Sequence, residues 1–305
     1  RFWSQRVNWS ENKQKYVLLG VTGPNEYENN VNNNWYTLKL ISWTLQYTMD
    51  QIKELSSKGK FSKIGNKVKF KQDEEIAKWQ DVVSNLYFPE DESRGVFLQQ
   101  DGFLDKALIP VSELPEKERP IHQNWSWDRI LRSCYIKQAD VLQGLYMFEN
   151  DYDIDTIKRN FDFYEPLTVH ESSLSPCIHS IIASKIGYHE KAYEMYLRTA
   201  RLDLNNINND TEDGLHITSM GGTWMSIVEG FAGLRIDDDK LCLSPSIPKQ
   251  WGYYEFRIVY RGIKLDIRVE QSLVLINNLS DSRLELKVNK ELLSIESGNS
   301  ASIST

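Results

Sequence analysis

The segment from Val21 to Thr37 holds the chain's densest group of side chains that could transfer a proton. Gly23-Pro24 predicts a tight turn just before a helix, which would place Glu26 on a loop among aromatic and amide side chains. A carboxyl group in such surroundings can retain its proton and serve as a general acid. The residues alone also allow a simpler interpretation, in which Glu26 and Glu28 complement the dipole of the helix that follows.

Two other segments carry groups suited to binding an anion. Ser172-Ser173 and Gly221-Gly222-Thr223 each precede a predicted helix, where free N–H groups and the positive dipole end attract anions and glycine permits close approach. His216 lies just before the glycine pair and could donate a hydrogen bond as a charged or a neutral imidazole. Ordinary helix capping would explain the same serines and glycines, so the residues leave both interpretations open.

Tryptophan rings could supply flat faces for a sugar, although most tryptophans in a helical protein belong to the core. Trp35 is the one expected nearest the site, because it lies in the same block as Glu26. No spacing of His, Cys and acidic residues is typical of a metal site, so no metal is expected.

The elements that would position these residues are mainly helical. Apolar residues recur every three or four positions, and acidic residues and glycines mark probable starts and ends. The pattern predicts six helices, at 33–56, 73–86, 128–148, 173–186, 189–204 and 223–231. Residues 57–71 are expected to form a surface loop, and 88–127 a long ordered excursion rich in Pro and Gly.

The last quarter of the chain has a different texture. Short runs such as 256–260, 265–269 and 284–288 alternate apolar and polar residues, which predicts antiparallel strands with one solvated face. We therefore expect a helical domain over 1–240 and a small antiparallel β-sandwich over 241–305. Six helices in three pairs resemble half of an (α/α)6 toroid. The pattern of Arg1–Val7 is typical of residues in the middle of an amphipathic helix. We therefore expect the other half of the toroid to lie upstream.

Charge and composition exclude several classes of partner. The formal net charge of -7 disfavours a nucleic-acid surface, so a bound phosphate would need a local pocket. The chain has no apolar run long enough for a membrane helix, and we expect no secretory leader, because no short basic-then-apolar stretch is present. Three cysteines, Cys134, Cys177 and Cys242, cannot all pair with one another and favour a reducing cytoplasm.

Four blocks of sequence resemble glycoside hydrolase family 65, in the family's order and over nearly the whole chain. They are Thr22–Thr37, Lys137-Gln138-Ala139-Asp140-Val141, Tyr164–Pro176 and His216–Trp224. The resemblance implies phosphorolysis of an α-linked glucose disaccharide with inversion, in which phosphate attacks directly and replaces the second carboxylate of an inverting glycosidase. Family members join an N-terminal β-sandwich, an (α/α)6 barrel and a small C-terminal β-domain, and the expected partners are the disaccharide, phosphate and a second copy in a homodimer.

The resemblance assigns roles to several candidate residues. It makes Glu26 the general acid, with no cofactor, since inorganic phosphate is a substrate. It implies that Lys137 and Gln138 bind the glucose and that His216 binds phosphate. Trp35 is added as a sugar-binding residue because of its place in the block of Glu26. The other expected phosphate-binding residues, chosen because they precede predicted helices, are Ser172, Ser173, Gly221, Gly222 and Thr223. Without the resemblance, Lys137 and Gln138 would be interpreted as a polar turn on the helix at 128–148.

The sequence leaves alternatives open for both the substrate and the reaction class. The Asn25–Asn30 wording is similar to that of members that cleave maltose, which favours maltose over kojibiose, nigerose, trehalose and trehalose 6-phosphate. An inverting hydrolase on the same toroid would need a second carboxylate, for which Glu171 is the nearby candidate. A non-catalytic sugar-binding or assembly fragment is the third possibility. The family's first helices also contact the glucose, so this chain alone is expected to hold an incomplete active site.

Overall fold

The computed structural model describes residues 1–304 and divides the chain into two compact units, Arg1–Val169 and His170–Thr305. The first unit consists of helices joined by loops, with two small hairpins. Its helices are α1 (Phe2–Arg6), α2 (Trp35–Ser57), α3 (Phe61–Lys67), α4 (Gln72–Asn85), α5 (Ile121–Asn124), α6 (Trp127–Leu131), α7 (Val141–Met147) and α8 (Ile154–Tyr164). The hairpins pair β1 (Asn8–Ser10) with β2 (Lys15–Val17) and β3 (Glu90–Asp91) with β4 (Val96–Phe97).

Helix α2 is the longest in the part of the chain that the structure describes, and its sequence explains it. The side chain of Asn34 accepts a hydrogen bond from the backbone N–H of Thr37 at 2.9 Å, which caps the first turn. The periodic apolar residues are buried and pack against α4 and β2, as the 3.6-residue spacing requires; they are Leu38, Ile41, Leu45, Met49 and Ile52. The predicted helix at 33–56 is confirmed.

Other predictions for this unit need correction. The stretch expected as a surface loop at 57–71 contains α3, and α8 was not predicted although Ile157, Phe161 and Tyr164 are buried on one face of it. The helix expected at 128–148 is broken into α6 and α7. Between them, Ile136 forms backbone hydrogen bonds with Leu167 at 3.0 Å and Val169 at 2.9 Å, which replace helical ones. Residues 88–127 hold short 3-10 turns, two-residue strands and the four-residue helix α5, and form a long connection of the kind expected.

The second unit begins with α9 (Pro176–Lys185), α10 (His189–Ala200) and α11 (Ile217–Met225), which continues as a π-helix over Ser226–Phe231. Gly187, with φ of 81°, follows the end of α9, and the next N–H, of Tyr188, donates to the carbonyl of Ala183 at 2.8 Å. The stop predicted at this glycine is confirmed. Helix α10 ends at Ala200, earlier than the predicted residue 204.

The start of α11 was predicted wrongly. The helix begins at Ile217, so Gly221 and Gly222 lie inside it and do not precede it. Gly222 is buried where α11 packs against α9. A Cβ atom at this position would lie 2.8 Å from Cβ of Cys177, so there is little room for a side chain. This glycine allows two helices to approach each other and does not end one.

Eight strands complete the second unit as two four-stranded sheets. One sheet has the order β11-β10-β6-β5 and the other β12-β9-β8-β7. The strands are β5 (Arg235–Asp237), β6 (Lys240–Leu243), β7 (Tyr253–Tyr260), β8 (Ile263–Glu270), β9 (Leu273–Asn278), β10 (Leu284–Val288), β11 (Glu291–Ile295) and β12 (Ser300–Ser304).

Alternation along these strands places one face of each sheet in the core. Leu265, Ile267 and Val269 of β8 are buried, and the residues between them are at least partly exposed. All pairings are antiparallel except β10 with β6, which is parallel and was not predicted. The fold class predicted from the sequence, mainly helical with a C-terminal region of antiparallel strands, is confirmed, and the division at residue 240 stays a prediction. Over residues 1–304, no helix has the length and apolar character needed to cross a membrane.

The two adjacent glycines of α11 give a test of the packing. In Gly222→Ala the new methyl group would lie 2.8–2.9 Å from Cys177 and 3.3 Å from Cγ2 of Thr199, so overpacking should lower the free energy of unfolding by about 1–3 kcal/mol. The matched control is Gly221→Ala, where no atom lies within 4 Å and alanine's helix propensity should raise stability by up to ~1 kcal/mol. Chemical unfolding measures both, and equal effects would show that the contact with α9 is not tight.

Candidate active site

Glu26 lies near the tip of a loop that is closed by backbone pairing. Val21 and Val31 exchange two N–H to carbonyl hydrogen bonds of 2.9 Å, and the side chain of Asn33 accepts a bond from the N–H of Leu18 at 2.8 Å. These bonds fix both ends of the loop. The sequence-based prediction that Glu26 lies on a loop before a helix is confirmed.

A buried polar cluster of three side chains, Asn25, Asn34 and Asp140, lies beneath this loop. The carboxylate of Asp140 accepts hydrogen bonds from the backbone N–H of Asn25 at 3.1 Å and from Nδ2 of Asn34 at 3.0 Å. Gly23 must lack a side chain, because its Cβ would lie 2.5 Å from Oδ2 of Asp140. Burial raises the pKa of Asp140 from 3.8 to about 7, and the hydrogen bonds from Asn25 and Asn34 oppose that shift.

Lys137 joins the loop in two ways. Its backbone N–H donates to Oδ1 of Asn25 at 2.9 Å, and its ammonium group donates to Oε2 of Glu26. The side chain of Glu26 is 55% exposed, so the pair is accessible to a ligand. The structure therefore brings together two predicted site residues that are 111 positions apart in sequence.

Glu28, two residues further along, has a different environment. Its carboxylate is buried and forms an ion pair with the ammonium group of Lys106. Burial lowers the pKa of Lys106 to about 8. Glu28 therefore ties the loop to the segment that follows β4, whereas Glu26 faces solvent.

Gln138 and Trp35, both predicted to contact the sugar, lie in different environments. Gln138 is buried, and among residues 1–304 its amide oxygen has no hydrogen-bond partner, which suits a group that binds a ligand hydroxyl. Trp35 is 1% exposed, stacks on Phe97 at 4.7 Å and packs against Gly144. The prediction that Trp35 faces the sugar needs correction, because its ring belongs to the core.

An exposed tryptophan near the loop was left unassigned from the sequence. Trp127 is 49% exposed and its ring meets that of Tyr27 edge to face, with centroids 6.4 Å apart. Tyr27 in turn hydrogen-bonds through its hydroxyl to Nδ1 of His122 at 3.2 Å. Trp127, at the start of α6, is thus an exposed aromatic side chain in contact with Tyr27, the residue that follows Glu26 in the chain.

In the second unit, the Ser172-Ser173 loop meets the first turn of α11. The hydroxyl groups of Ser173 and Thr218 are 2.6 Å apart, and the hydroxyl of Ser172 accepts from the N–H of Leu174 at 3.2 Å. The loop is braced by His170, whose Nδ1 lies 2.8 Å from the hydroxyl of Ser175. Thr218 was missed, although it lies in one of the four recognised blocks.

His216 precedes α11 and is held by acidic residues. Its Nδ1 lies 2.6 Å from Oδ1 of Asp203, its backbone N–H donates to Oδ2 of the same residue at 2.9 Å, and its Nε2 lies 3.5 Å from Asp210. The hydrogen bond with Asp203 raises the pKa of His216, and the charges of Asp210 and Asp213 act in the same direction.

The other predicted anion-binding residues lie beyond the first turn. Gly221 is exposed in the middle of α11, Gly222 is buried against α9, and the hydroxyl of Thr223 donates to the carbonyl of Ser219 at 2.8 Å. The argument that these residues bind an anion because they precede a helix therefore fails. The residues that the structure does place at the helix start are His216, Ile217 and Thr218.

Comparison with known proteins identifies the family. Residues 1–225 match the glycosyl hydrolase family 65 central catalytic domain, and residues 234–295 match the glycosyl hydrolase family 65 C-terminal domain. The chain belongs to glycoside hydrolase family 65, and the resemblance found in the sequence is confirmed.

Individual relatives are disaccharide phosphorylases by name. The chain is 48% identical to maltose phosphorylase from Bacillus subtilis (strain 168) over 95% of its length and 38% of that protein. It is 36% identical to alpha,alpha-trehalose phosphorylase from Thermoanaerobacter brockii, over 98% of this chain and 39% of the relative, and 35% identical to kojibiose phosphorylase from Halothermothrix orenii, over 94% and 37%. The chain thus spans about two fifths of the length of these curated relatives.

A solved structure agrees with these matches. It is described as a kojibiose phosphorylase from the human microbiome, is 36% identical in sequence and superposes with a TM-score of 0.90. The similarity covers 100% of this chain and 42% of that one.

The raised pKa of Asp140 gives a pH-dependent prediction. The carboxyl group of Asp140 keeps its proton up to about pH 7 in the folded chain but only to about pH 3.8 in the unfolded chain. This proton therefore contributes its full stabilisation of the fold below about pH 4, and the contribution is lost as the pH rises to about 7. Asp140→Asn removes that dependence. Unfolding free energies measured between pH 4 and 7 should therefore fall more steeply in the wild type, by on the order of a few kcal/mol.

The control is Asp281→Asn, which replaces an exposed aspartate and should leave the curve parallel to that of the wild type. A wild-type curve that runs parallel to that of Asp140→Asn would contradict the assignment.

Proposed function

We propose that the enzyme with this chain cleaves an α-linked glucose disaccharide with inorganic phosphate and inversion, giving β-glucose 1-phosphate and glucose. The observation that carries the proposal is the loop of Glu26, which is exposed, fixed by the buried cluster and paired with Lys137. Membership of the family and the names of the relatives support the reaction class.

The proposed reaction needs one protein acid. Glu26 transfers its proton to the glycosidic oxygen as the bond between that oxygen and the anomeric carbon breaks. A phosphate oxygen forms the new bond to the anomeric carbon from the opposite face, which inverts the configuration. The leaving sugar departs as neutral glucose. Because phosphate is already an anionic nucleophile, no second carboxylate is required to activate it.

The sugar-binding role is proposed for Lys137 and Gln138. A hydroxyl group that accepts from Lys137 could take the ammonium group away from Glu26, which has to carry a proton at the start of the reaction. A second hydroxyl can donate to the amide oxygen of Gln138, which is buried and needs a donor. Both side chains then bind the glucose unit that is transferred.

The phosphate-binding role is proposed for Ser172, Ser173 and His216, with Thr218 added from the structure. Hydroxyl groups and an imidazole at a helix start can donate to phosphate oxygens. For Gly221, Gly222 and Thr223 the proposal keeps only their place in the same helix, α11, and no contact with the anion. No cofactor is included, because phosphate is itself a reactant.

Maltose is the proposed substrate. The chain is 48% identical to a maltose phosphorylase and 36% and 35% identical to relatives named for trehalose and kojibiose. Comparing kcat/KM for maltose, kojibiose and trehalose at saturating phosphate tests this choice, and a higher value for either of the other two sugars would reassign the substrate. A cytoplasmic homodimer stays a prediction.

Replacing Glu26 by Gln in the full-length enzyme tests the acid. Turnover of maltose should fall by about 10²–10⁴-fold, because the leaving sugar then departs without a proton. A nitrophenyl α-glucoside has an acidic leaving group and needs little protonation, so its phosphorolysis should fall much less. Release of β-glucose 1-phosphate and of nitrophenolate are the two measurements.

Glu28→Gln is the matched control, since it removes a neighbouring carboxylate that is buried against Lys106. It should slow both substrates by similar factors if Glu28 only positions the loop. Equal slowing in Glu26→Gln would contradict the acid role, and glucose release that is independent of phosphate would point to the inverting hydrolase.

A further inference from the structure

His216 is held by Asp203 through two separate hydrogen bonds. One carboxylate oxygen contacts Nδ1 of the imidazole at 2.6 Å, and the other accepts the backbone N–H of the same residue at 2.9 Å. The side chain of Asp203 is 12% exposed and that of His216 is 23% exposed. A two-point contact of this kind fixes both the main chain at the start of α11 and the plane of the ring.

The contact with Asp203 also decides which proton His216 can offer. A carboxylate accepts only, so Nδ1 carries the hydrogen in this bond. A neutral imidazole with its hydrogen on Nδ1 has a lone pair on Nε2 and cannot donate from that atom. Only the imidazolium form presents an N–H at Nε2.

We propose that Asp203 is a positioning residue for phosphate: it orients His216 and makes the charged imidazolium the only form that can donate from Nε2 to a phosphate oxygen. The inference rests on the proposed function, in which His216 binds the anion. It goes further by naming the residue that controls the donor and by excluding the neutral imidazole as one.

The groups around His216 agree with a charged ring. The segment after α10 contributes Asp203, and the turn at Thr211–Asp213 with its preceding residue contributes Asp210 and Asp213. These three carboxylates raise the pKa of His216. The arginines of the same region, Arg198 and Arg201, donate to the carbonyl of His170 and to Asn205.

Asp210 has a different part from Asp203. Its Oδ2 lies 3.5 Å from Nε2 of His216, which is long for a hydrogen bond, and it contacts the nitrogen that the phosphate would need. A phosphate oxygen would replace this carboxylate at Nε2, whereas the bonds to Asp203 would persist. Removing Asp210 takes away one of the charges that raise the pKa of His216, so its effect is compared at pH 5.5, where the ring is charged without that help. At that pH the loss of Asp210 should leave phosphate affinity unchanged or increase it.

The test is the pH dependence of phosphate use by the full-length enzyme, with inorganic phosphate as the varied substrate. In Asp203→Asn the amide oxygen can still accept from Nδ1, whereas the amide NH2 group cannot accept the backbone N–H of His216, so that second bond is lost. The new side chain carries no charge, so the pKa of His216 should fall. We expect the KM for phosphate to rise about tenfold or more at pH 7.5 and the pH at which phosphate use is half lost to move down by about one unit. The KM for maltose should stay within about twofold.

The decisive comparison is at low pH. Below both pKa values the ring is charged in either protein, so at pH 5.5 the KM of Asp203→Asn should return to within about threefold of the wild type. Titration of phosphate itself affects both proteins equally and cancels in the ratio. An equal rise in KM at every pH would show a merely structural role, and an unchanged KM would show no role, so either result overturns the proposal.

Two variants and a spectroscopic measurement complete the design. At pH 5.5 Asp210→Asn should not raise the KM for phosphate, and exposed Asp281→Asn should match the wild type. If Asp203→Asn does not fold, Asp203→Glu retains the charge and should keep the wild-type pH midpoint while the KM rises because the two-point contact is altered; a midpoint that moves down would contradict the proposal.

NMR titration of the His216 ring in the wild type and in Asp203→Asn separates this inference from the proposed function. The wild-type ring should titrate at the higher pH, and added phosphate should shift its signal. If the enzyme turned out not to use phosphate, the proposed function would fail in the assay, whereas equal ring titration in the two proteins would refute the role of Asp203 by itself. A ring signal that ignores phosphate would refute the donor.

Discussion

The hydrogen bonds of one buried carboxyl group, that of Asp140, organise the candidate catalytic loop. This group accepts from the N–H of Asn25 beside the acid and from the amide of Asn34 that caps α2. Lys137, three residues earlier in the chain, donates its own N–H to Asn25. Glu26, its ion-pair partner Lys137 and the start of the longest described helix are thus linked through one cluster, so a change in the protonation or packing of Asp140 would reach all of them.

The elements that could be predicted from the sequence are those whose burial follows a local period. Helix α2 and strand β8 each bury one regular face, and the residues that do so are visible in the sequence itself. The helix expected at 128–148 is interrupted because Ile136 forms backbone hydrogen bonds with Leu167 and Val169, 31 and 33 positions away, and no local pattern encodes those partners. The prediction that Gly222 precedes a helix was wrong for a related reason, since a glycine that allows a neighbouring helix to approach and one that precedes a helix look alike in sequence.

The residues of the candidate site also divide into those whose place a local pattern predicts and those whose place depends on distant segments. The position of Glu26 on a loop followed from Gly23-Pro24, a local signal that the structure confirms. Its ion pair with Lys137 joins distant segments, and it was the family resemblance that drew attention to Lys137 and Gln138. Trp35 was assigned by its place in the block, but depth is a tertiary property and the ring is 1% exposed. The hydroxyl contact of Thr218 with Ser173 was equally out of reach, because two ordinary helix-start residues reveal no pairing.

The acidic residues near His216 constrain how a phosphate could be held there. Asp203, Asp210 and Asp213 outnumber the one imidazolium, so the local charge opposes a dianion and affinity must come from directed hydrogen bonds. Neutral hydroxyl donors such as those of Ser173 and Thr218 suit this, since they add bonds without adding charge. Modest affinity is no disadvantage when the anion is a reactant, because tight binding in the ground state lowers KM without speeding the chemical step. As phosphate gives up negative charge to the anomeric carbon, its repulsion by the three carboxylates would decline. A site of this composition would therefore bind the transition state more strongly than the ground state.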